Sequence, residues 1–288
     1  MRRWPAALAC AFTLALAGCG SLPGGVDGDI TGGWAPMPAA KQFRPVEGSC
    51  HAAITDTGAQ QNYEETACSG PHKAETIAVF DLANTRAGEP EDALDEAYAQ
   101  CSRRADAWLG ADWRTGWVVI QPVVPAGNAW SGGARWVRCD VAETSPVDGT
   151  LVSRSGSMKG GLKPGGRLVM TCANATLKND RVTELHPVAC AGRHTAEFAG
   201  LFVSKRDSSA DVTDKELEKG CDAAIAEFAG VPDDGNLRYR TGWLGFPPDD
   251  TAWDLGDHAI RCFLWLNGEK LTGSYRNGGS RKLPIRYA

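Results

Sequence analysis

The sequence predicts an α+β fold made of two tandem homologous disulfide-bonded modules, each a small antiparallel sheet with one packed helix. Three observations lead there. Eight cysteines fall into two sets of four, with intervals of 18, 33 and 38 residues in the first set and 18, 31 and 41 in the second. Landmarks between them recur: Arg114-Thr-Gly-Trp117 returns as Arg240-Thr-Gly-Trp243, Trp130 and Trp253 each stand nine residues before the last cysteine of their set, and Arg138 and Arg261 immediately precede it. Each set also holds one helical periodicity between strand-like alternations. A unit of about 120 residues is too long for a solenoid repeat and suits a small domain.

The elements can be justified in chain order. Arg2 and Arg3 precede an apolar run from Ala6 to Ala17, too short to span a membrane and of the right length for a secretory signal. The run ends Leu16-Ala17-Gly18-Cys19, which resembles the lipobox of bacterial lipoproteins. The resemblance implies that residues 1–18 are a lipoprotein signal peptide and that Cys19 carries lipid such as palmitate, anchoring an exported protein to the extracytoplasmic face of the membrane. Residues 19–46 are rich in Gly, Pro and Ala without apolar periodicity and read as a flexible tether. The modules are then residues 47–165 and 166–288. The net charge of −5 becomes −7 when Arg2 and Arg3 leave, a mild acidity that gives no support to nucleic-acid binding.

In the first module "AETIAVFDL" reads as a strand. Pro90 opens a helix and Gly110 closes it, with Leu94, Tyr98, Cys101, Ala105 and Trp108 on one face. "WVVIQPVV" and "ARWVRCDV" follow as strands, and alternation turns Val137, Cys139 and Val141 to one side. In the second module "AEFAGLFVS" is a strand, Thr213 and Glu216 form a capping-box pattern, and Leu217, Cys221, Ile225 and Phe228 line the helix that follows. "HAIRCFLWL" closes it, with Ile260, Cys262, Leu264 and Leu266 on one face. The third cysteine of each set thus sits on a buried helix face and the fourth points inward from a strand. An even number of cysteines in an exported chain favours disulfides. Three pairings are open to each set; the favoured one is first to second and third to fourth, giving Cys50–Cys68, Cys101–Cys139, Cys172–Cys190 and Cys221–Cys262.

One motif asks for a chemical reading. Cys68-x3-His72-x2-Glu75 is repeated as Cys190-x3-His194-x2-Glu197. The favoured role is structural: the histidine ring bonds a carbonyl at the Gly70–Pro71 turn, and the glutamate supports it. The sharper alternative is a shallow recognition site on one edge of each module. Zinc is disfavoured because the cysteines have disulfide partners and His51, His186 and His258 have no counterparts; no metal and no cofactor are expected. A catalytic cysteine must be a free thiolate, and neither a Gly-x-Ser-x-Gly elbow nor a His-Glu-x-x-His pair occurs, so the chain is not expected to be an enzyme. Trp130 and Trp253 lie in Gly- and Asp-rich segments. They fit covers over the core edge, the favoured reading, or exposed stacking platforms.

The lipobox, the cysteine before a short loop, the Cys-x3-His-x2-Glu motif leading into a strand, the helix cysteine and the late strand cysteine together resemble the septum-formation family of actinobacterial envelope proteins. The residues are Cys50, Cys68, His72, Glu75, Cys101 and Cys139, and again Cys172, Cys190, His194, Glu197, Cys221 and Cys262. The tail "LVSRSGSMKGGL" is similar to the family's as well, while the Pro71 position is Arg193 in the second set. The resemblance covers about residues 47–165 and 167–285, as two tandem copies. It implies a link to division septum formation and carries over no chemistry. The expectation is a lipid-anchored extracytoplasmic binding or scaffold protein whose partner is an envelope protein or the cell wall. The alternatives are an envelope hydrolase or metal-dependent enzyme with its site between modules, and a peptidoglycan- or glycan-binding module.

Overall fold

The computed structural model describes residues 42–82, 88–179, 181–266 and 269–286. The signal segment, Cys19 and the tether up to residue 41 lie outside the described residues. The described residues belong to one compact unit. Its first half contains β1 (Cys50–His51), β2 (Glu65–Thr66), β3 (Ala74–Asp81), α1 (Leu94–Leu109), β4 (Val118–Val123), the short α2 (Gly127–Ser131) and β5 (Trp136–Glu143). The second half contains β6 (Cys172–Lys178), β7 (Arg181–Val188), β8 (Arg193–His194), β9 (Ala196–Val203), α3 (Asp214–Ala229), β10 (Gly242–Phe246), the short α4 (Asp250–Asp254), β11 (Ala259–Trp265), β12 (Leu271–Thr272) and the short α5 (Gly279–Lys282).

The strand orders are β2-β1-β3-β5-β4 and, read from the corresponding edge, β7-β6-β9-β11-β10. The two five-stranded antiparallel sheets therefore share one topology, and each carries one long helix, as the α+β reading expects. A further small pair joins β12 to β8. Each helix begins and ends where the sequence provides for it. Glu89 and Asp92 form a capping box around Pro90 in the turn that leads into α1, and Gly110 ends the helix at φ 94°, a left-handed conformation that favours glycine. Thr213 accepts from the Glu216 N–H at the start of α3. The Glu216 carboxylate does not return to the cap. It bonds Ser204 Oγ and Arg206 Nε instead, so only half of the expected box forms.

The helices are fastened to the sheets covalently. Cys101–Cys139 and Cys221–Cys262 staple helix to an interior strand, β5 or β11, with all four residues at most 1 % exposed. Cys50–Cys68 and Cys172–Cys190 close the loop before β3 and β9. The helix–sheet core takes Ala97, Tyr98, Ala105 and Leu109 from α1 and Ile225, Phe228 and Ala229 from α3. Leu94 and Trp108, expected on the buried face, are only half-buried, because α1 rolls so that Ala97 and Leu109 point deepest.

One expectation is corrected. Residues 42–46, assigned to the tether, are part of the fold: Phe43 packs edge-on against Trp136 and Tyr63, its carbonyl accepts from Trp136 Nε1 at 3.1 Å, and Arg44 pairs with Asp81. A single large apolar residue in a small-residue stretch is enough to dock it. Trp130 and Trp253 are not exposed platforms. Each sits in a short helix at 3 % and 1 % exposure, with Arg135 stacked 4.1 Å over Trp130 and His258 stacked on Trp253. The favoured reading, a cover over the core edge, describes both. Finally, β5 is buried on both faces, with Arg138 and Asp140 as covered as Cys139.

Candidate functional site

The Cys-x3-His-x2-Glu motifs form the most organised polar clusters of the sheets, and strand register explains how. Glu75 pairs across β3 with Cys50 on one side and Val141 on the other. Glu197 likewise pairs with Cys172 and Leu264. Directly paired residues share a face, so each glutamate is drawn under the sheet next to its module's first disulfide. His72 and Glu75 are 1 % and 4 % exposed; His194 and Glu197 are 0 % and 3 % exposed.

The histidines hold turns. His72 Nδ1 lies 2.9 Å from the Gly70 carbonyl and His194 Nδ1 lies 3.0 Å from that of Gly192. A carbonyl only accepts, so Nδ1–H donates in both. The glutamates hold tails. Glu75 Oε1 accepts from the Met158 N–H and Oε2 from Ser157 Oγ, both at 2.7 Å. Glu197 Oε2 accepts from the Tyr275 N–H at 2.8 Å and Oε1 from Ser274 Oγ at 2.5 Å. Each of these serines in turn accepts from the N–H two residues on, at 3.1 Å. The matching tails after the two cysteine sets are therefore straps, each latched by one buried carboxylate. Ser157 and Ser274 were not singled out from the sequence, although the tail repeat "GSM"/"GSY" was visible there.

The copies differ at the second ring nitrogen. His72 Nε2 faces Glu75 Oε1 at 3.3 Å. His194 Nε2 is buried with no hydrogen-bond partner among the described residues. The ligand atoms of His194, Glu197 and Cys172 lie within 4.8 Å of one another, a spacing that invites a metal. The donor chemistry does not fit one. Cys172 is bonded to Cys190 and offers no thiolate, and both Glu197 oxygens already accept. One free imidazole nitrogen does not bind zinc.

A second polar cluster escaped the sequence reading. His51 Nε2 lies 2.9 Å from Thr76 Oγ1, which donates to Asp140 Oδ1 at 2.7 Å, and Asp140 Oδ2 accepts from Arg138 Nε at 2.8 Å. Arg138 also lies 5.5 Å over the Tyr63 ring. Burial pushes the His51 imidazole below its ordinary value, opposed by the Asp140 charge. Counted from the paired cysteines and glutamates, the second-module counterparts of His51, Thr76 and Asp140 are Ala173, Phe198 and Phe263, which form an apolar cluster. His51 had been passed over because it has no repeat partner; that asymmetry was itself the signal. The RTGW repeats also diverge. Arg240 Nη1 donates to the Leu283 carbonyl of its own tail at 2.7 Å, whereas Arg114 Nε donates to Asp257 of the other module at 2.5 Å.

No helix among the described residues is long and apolar enough to cross a membrane. The family model described as "Septum formation" matches residues 47–262, a stretch that runs through both modules. No curated protein and no solved structure matches the chain.

Proposed function

This chain belongs to the septum-formation family, and from that premise we propose that it is a non-enzymatic binding or scaffold protein of the cell envelope, tethered through lipid on Cys19 and acting at the division septum. The observation that supports a scaffold is the fate of the reactive side chains. Four disulfides engage all eight cysteines of the two sets, and both Cys-x3-His-x2-Glu carboxylates are saturated by straps. Such residues rigidify a surface, and these cysteines and carboxylates offer neither a thiolate nucleophile nor an open carboxylate oxygen. The partner expected is another envelope protein.

An export-compatible fluorescent fusion of the full chain tests the reading. It should concentrate at division sites, and depletion should delay septation. A uniform envelope signal with normal division on depletion overturns the septal role. Cys19→Ala should move the protein from the membrane to the soluble fraction with loss of the acyl mass; unchanged fractionation and mass overturn the anchor.

A further inference from the structure

The two helix–sheet units also differ on the side where the long helix overhangs the C-terminal half of the central strand, β3 or β9. In the first module Arg104 of α1 lays its guanidinium 4.0 Å over Phe80 of β3 and fills this space. The position corresponding to Arg104, counted from the helix cysteine, is Ala224, and that of Gln100 is Gly220. In the second module a groove of about 600 Å³ opens there between β9 and α3. It continues past Gly200 and Ala224 to Arg276, which stacks over Phe228. Phe202 lies in the wall so close to Gly220 that a Cβ there would meet its ring at 2.2 Å. Val203 is 62 % exposed, where the first module has Asp81.

The groove is bordered by an open sheet edge. β6 pairs with β9 only at Ala196 and Glu197. Farther along, the Ser204 N–H bonds to His258, so Phe202 and Gly200 face β11 in the alternating ladder. The N–H and C=O of Leu201 and Val203 consequently point away from β11, and no backbone partner meets them among the described residues. Lys205, Lys219 and Arg276 outnumber the one unpaired carboxylate of the lining, Glu227, and leave the rim net positive, while Arg206 is already paired with Glu216.

We propose that this groove captures an extended segment of a partner protein, which adds as a strand to the β9 edge, sets alternate apolar side chains into the space beside Ala224 and Phe202, and presents acidic residues to Lys205, Lys219 and Arg276. Main-chain bonding to an edge supplies affinity and the groove supplies selectivity. From Ala199 to Val203 the edge is about 13 Å long, room for four or five residues. The proposal deepens the binding role above, but peptide capture is measured in solution and stands or falls apart from septal location and lipid anchoring.

The test is a displayed random decapeptide library panned on the full wild-type chain, with Ala224→Arg, which restores the first module's filling residue, as counter-selection. Peptides alternating apolar and acidic residues should be enriched. A synthetic copy of the enriched peptide should protect the segment containing Leu201 and Val203 from hydrogen exchange. Its affinity should fall at least about tenfold in Ala224→Arg and in the surface variant Lys219→Glu, both retaining the wild-type unfolding temperature. Enrichment of basic peptides, absence of any wild-type-specific peptide, or affinity indifferent to Lys219→Glu overturns the proposal. So does a result in which Ala224→Arg merely turns a dimer into a monomer, which would assign the edge to a second copy.

Discussion

Removing the Glu75 carboxylate should unlatch the first strap. In Glu75→Ala the Met158 N–H and the His72 Nε2 edge lose their partner in a buried setting, while the exposed Ser157 hydroxyl can turn to water. Each buried group left unsatisfied costs ~1–3 kcal/mol, so the loss is about 3 kcal/mol in all, or roughly 6–12 °C in melting temperature for a chain of this size. Glu197→Ala should cost less, about 1–2 kcal/mol, since His194 Nε2 is unpartnered already and Tyr275 is only half-buried. Glu75→Gln keeps an acceptor for the Met158 N–H and should lie near wild type. Thermal unfolding followed by circular dichroism gives the ranking, and trypsin at Arg154 and Lys159 reports strap release. If Glu75→Ala melts within about 2 °C of wild type, or if Glu197→Ala is the more damaging change, the latch reasoning is wrong.

Three further outcomes follow from burial. The loop disulfides Cys50–Cys68 and Cys172–Cys190 have a partly exposed member, whereas the helix–sheet pair is fully covered; graded reductant with alkylation and mass mapping should open the loop pair first, and simultaneous opening of all four contradicts this. His51 titrates below its ordinary 6.5 when folded, so the unfolded chain binds the proton more tightly and stability should be full above that value and decline as pH falls through it. His51→Gln should flatten that slope, and an unchanged slope in urea titrations at pH 7.5 and 5.5 would remove His51 as its source. Asp222 is pushed up to about 6 by burial and then by Glu218 and Asp233. Its charge therefore opposes folding above that pH, Asp222→Asn should raise the melting temperature at pH 7.5, and the gain should fade towards the ordinary 3.8; a gain that is constant with pH excludes a charge effect.

What the sequence could reveal was what period and covalent chemistry control. The long helices, the strands around Ile77, Cys139 and Cys262 and the cysteine pairing follow from apolar spacing and an even cysteine count. The β6–β7 hairpin was missed because its faces are largely exposed and carry little apolar alternation. Docking of Phe43, burial of Trp130 and Trp253, and the straps depend on contacts between residues tens of positions apart, Glu75 to Met158 for instance. Composition around Trp253, rich in Asp and Pro, suggested a loop; Asp249 instead caps the short α4 by accepting from the Ala252 N–H, which tucks the indole under the sheet's end.

The two sheets share a topology and yet have opposite outer faces, and that difference decides how the halves join. On the first, His51, Thr76, Asp140 and Arg138 form one hydrogen-bonded chain and are roofed by Tyr63 and the Phe43 segment. On the second, the corresponding Ala173, Phe198 and Phe263 have no polar partners to seek and accept Trp117 of the first module, whose ring lies 6.5 Å from that of Phe263. Beside that contact Arg114 reaches Asp257, and Arg261 donates to the Arg114 carbonyl at 3.0 Å. A buried polar network costs more to expose than it returns when half satisfied, so the first face is suited to closing on its own chain. An apolar face gains by being covered, so the second recruits its neighbour. With that face occupied and α3 on the other, the stretch of β9 from Leu201 to Val203 keeps its outward N–H and C=O groups without a backbone partner among the described residues, beside the space that Gly220 and Ala224 leave along α3.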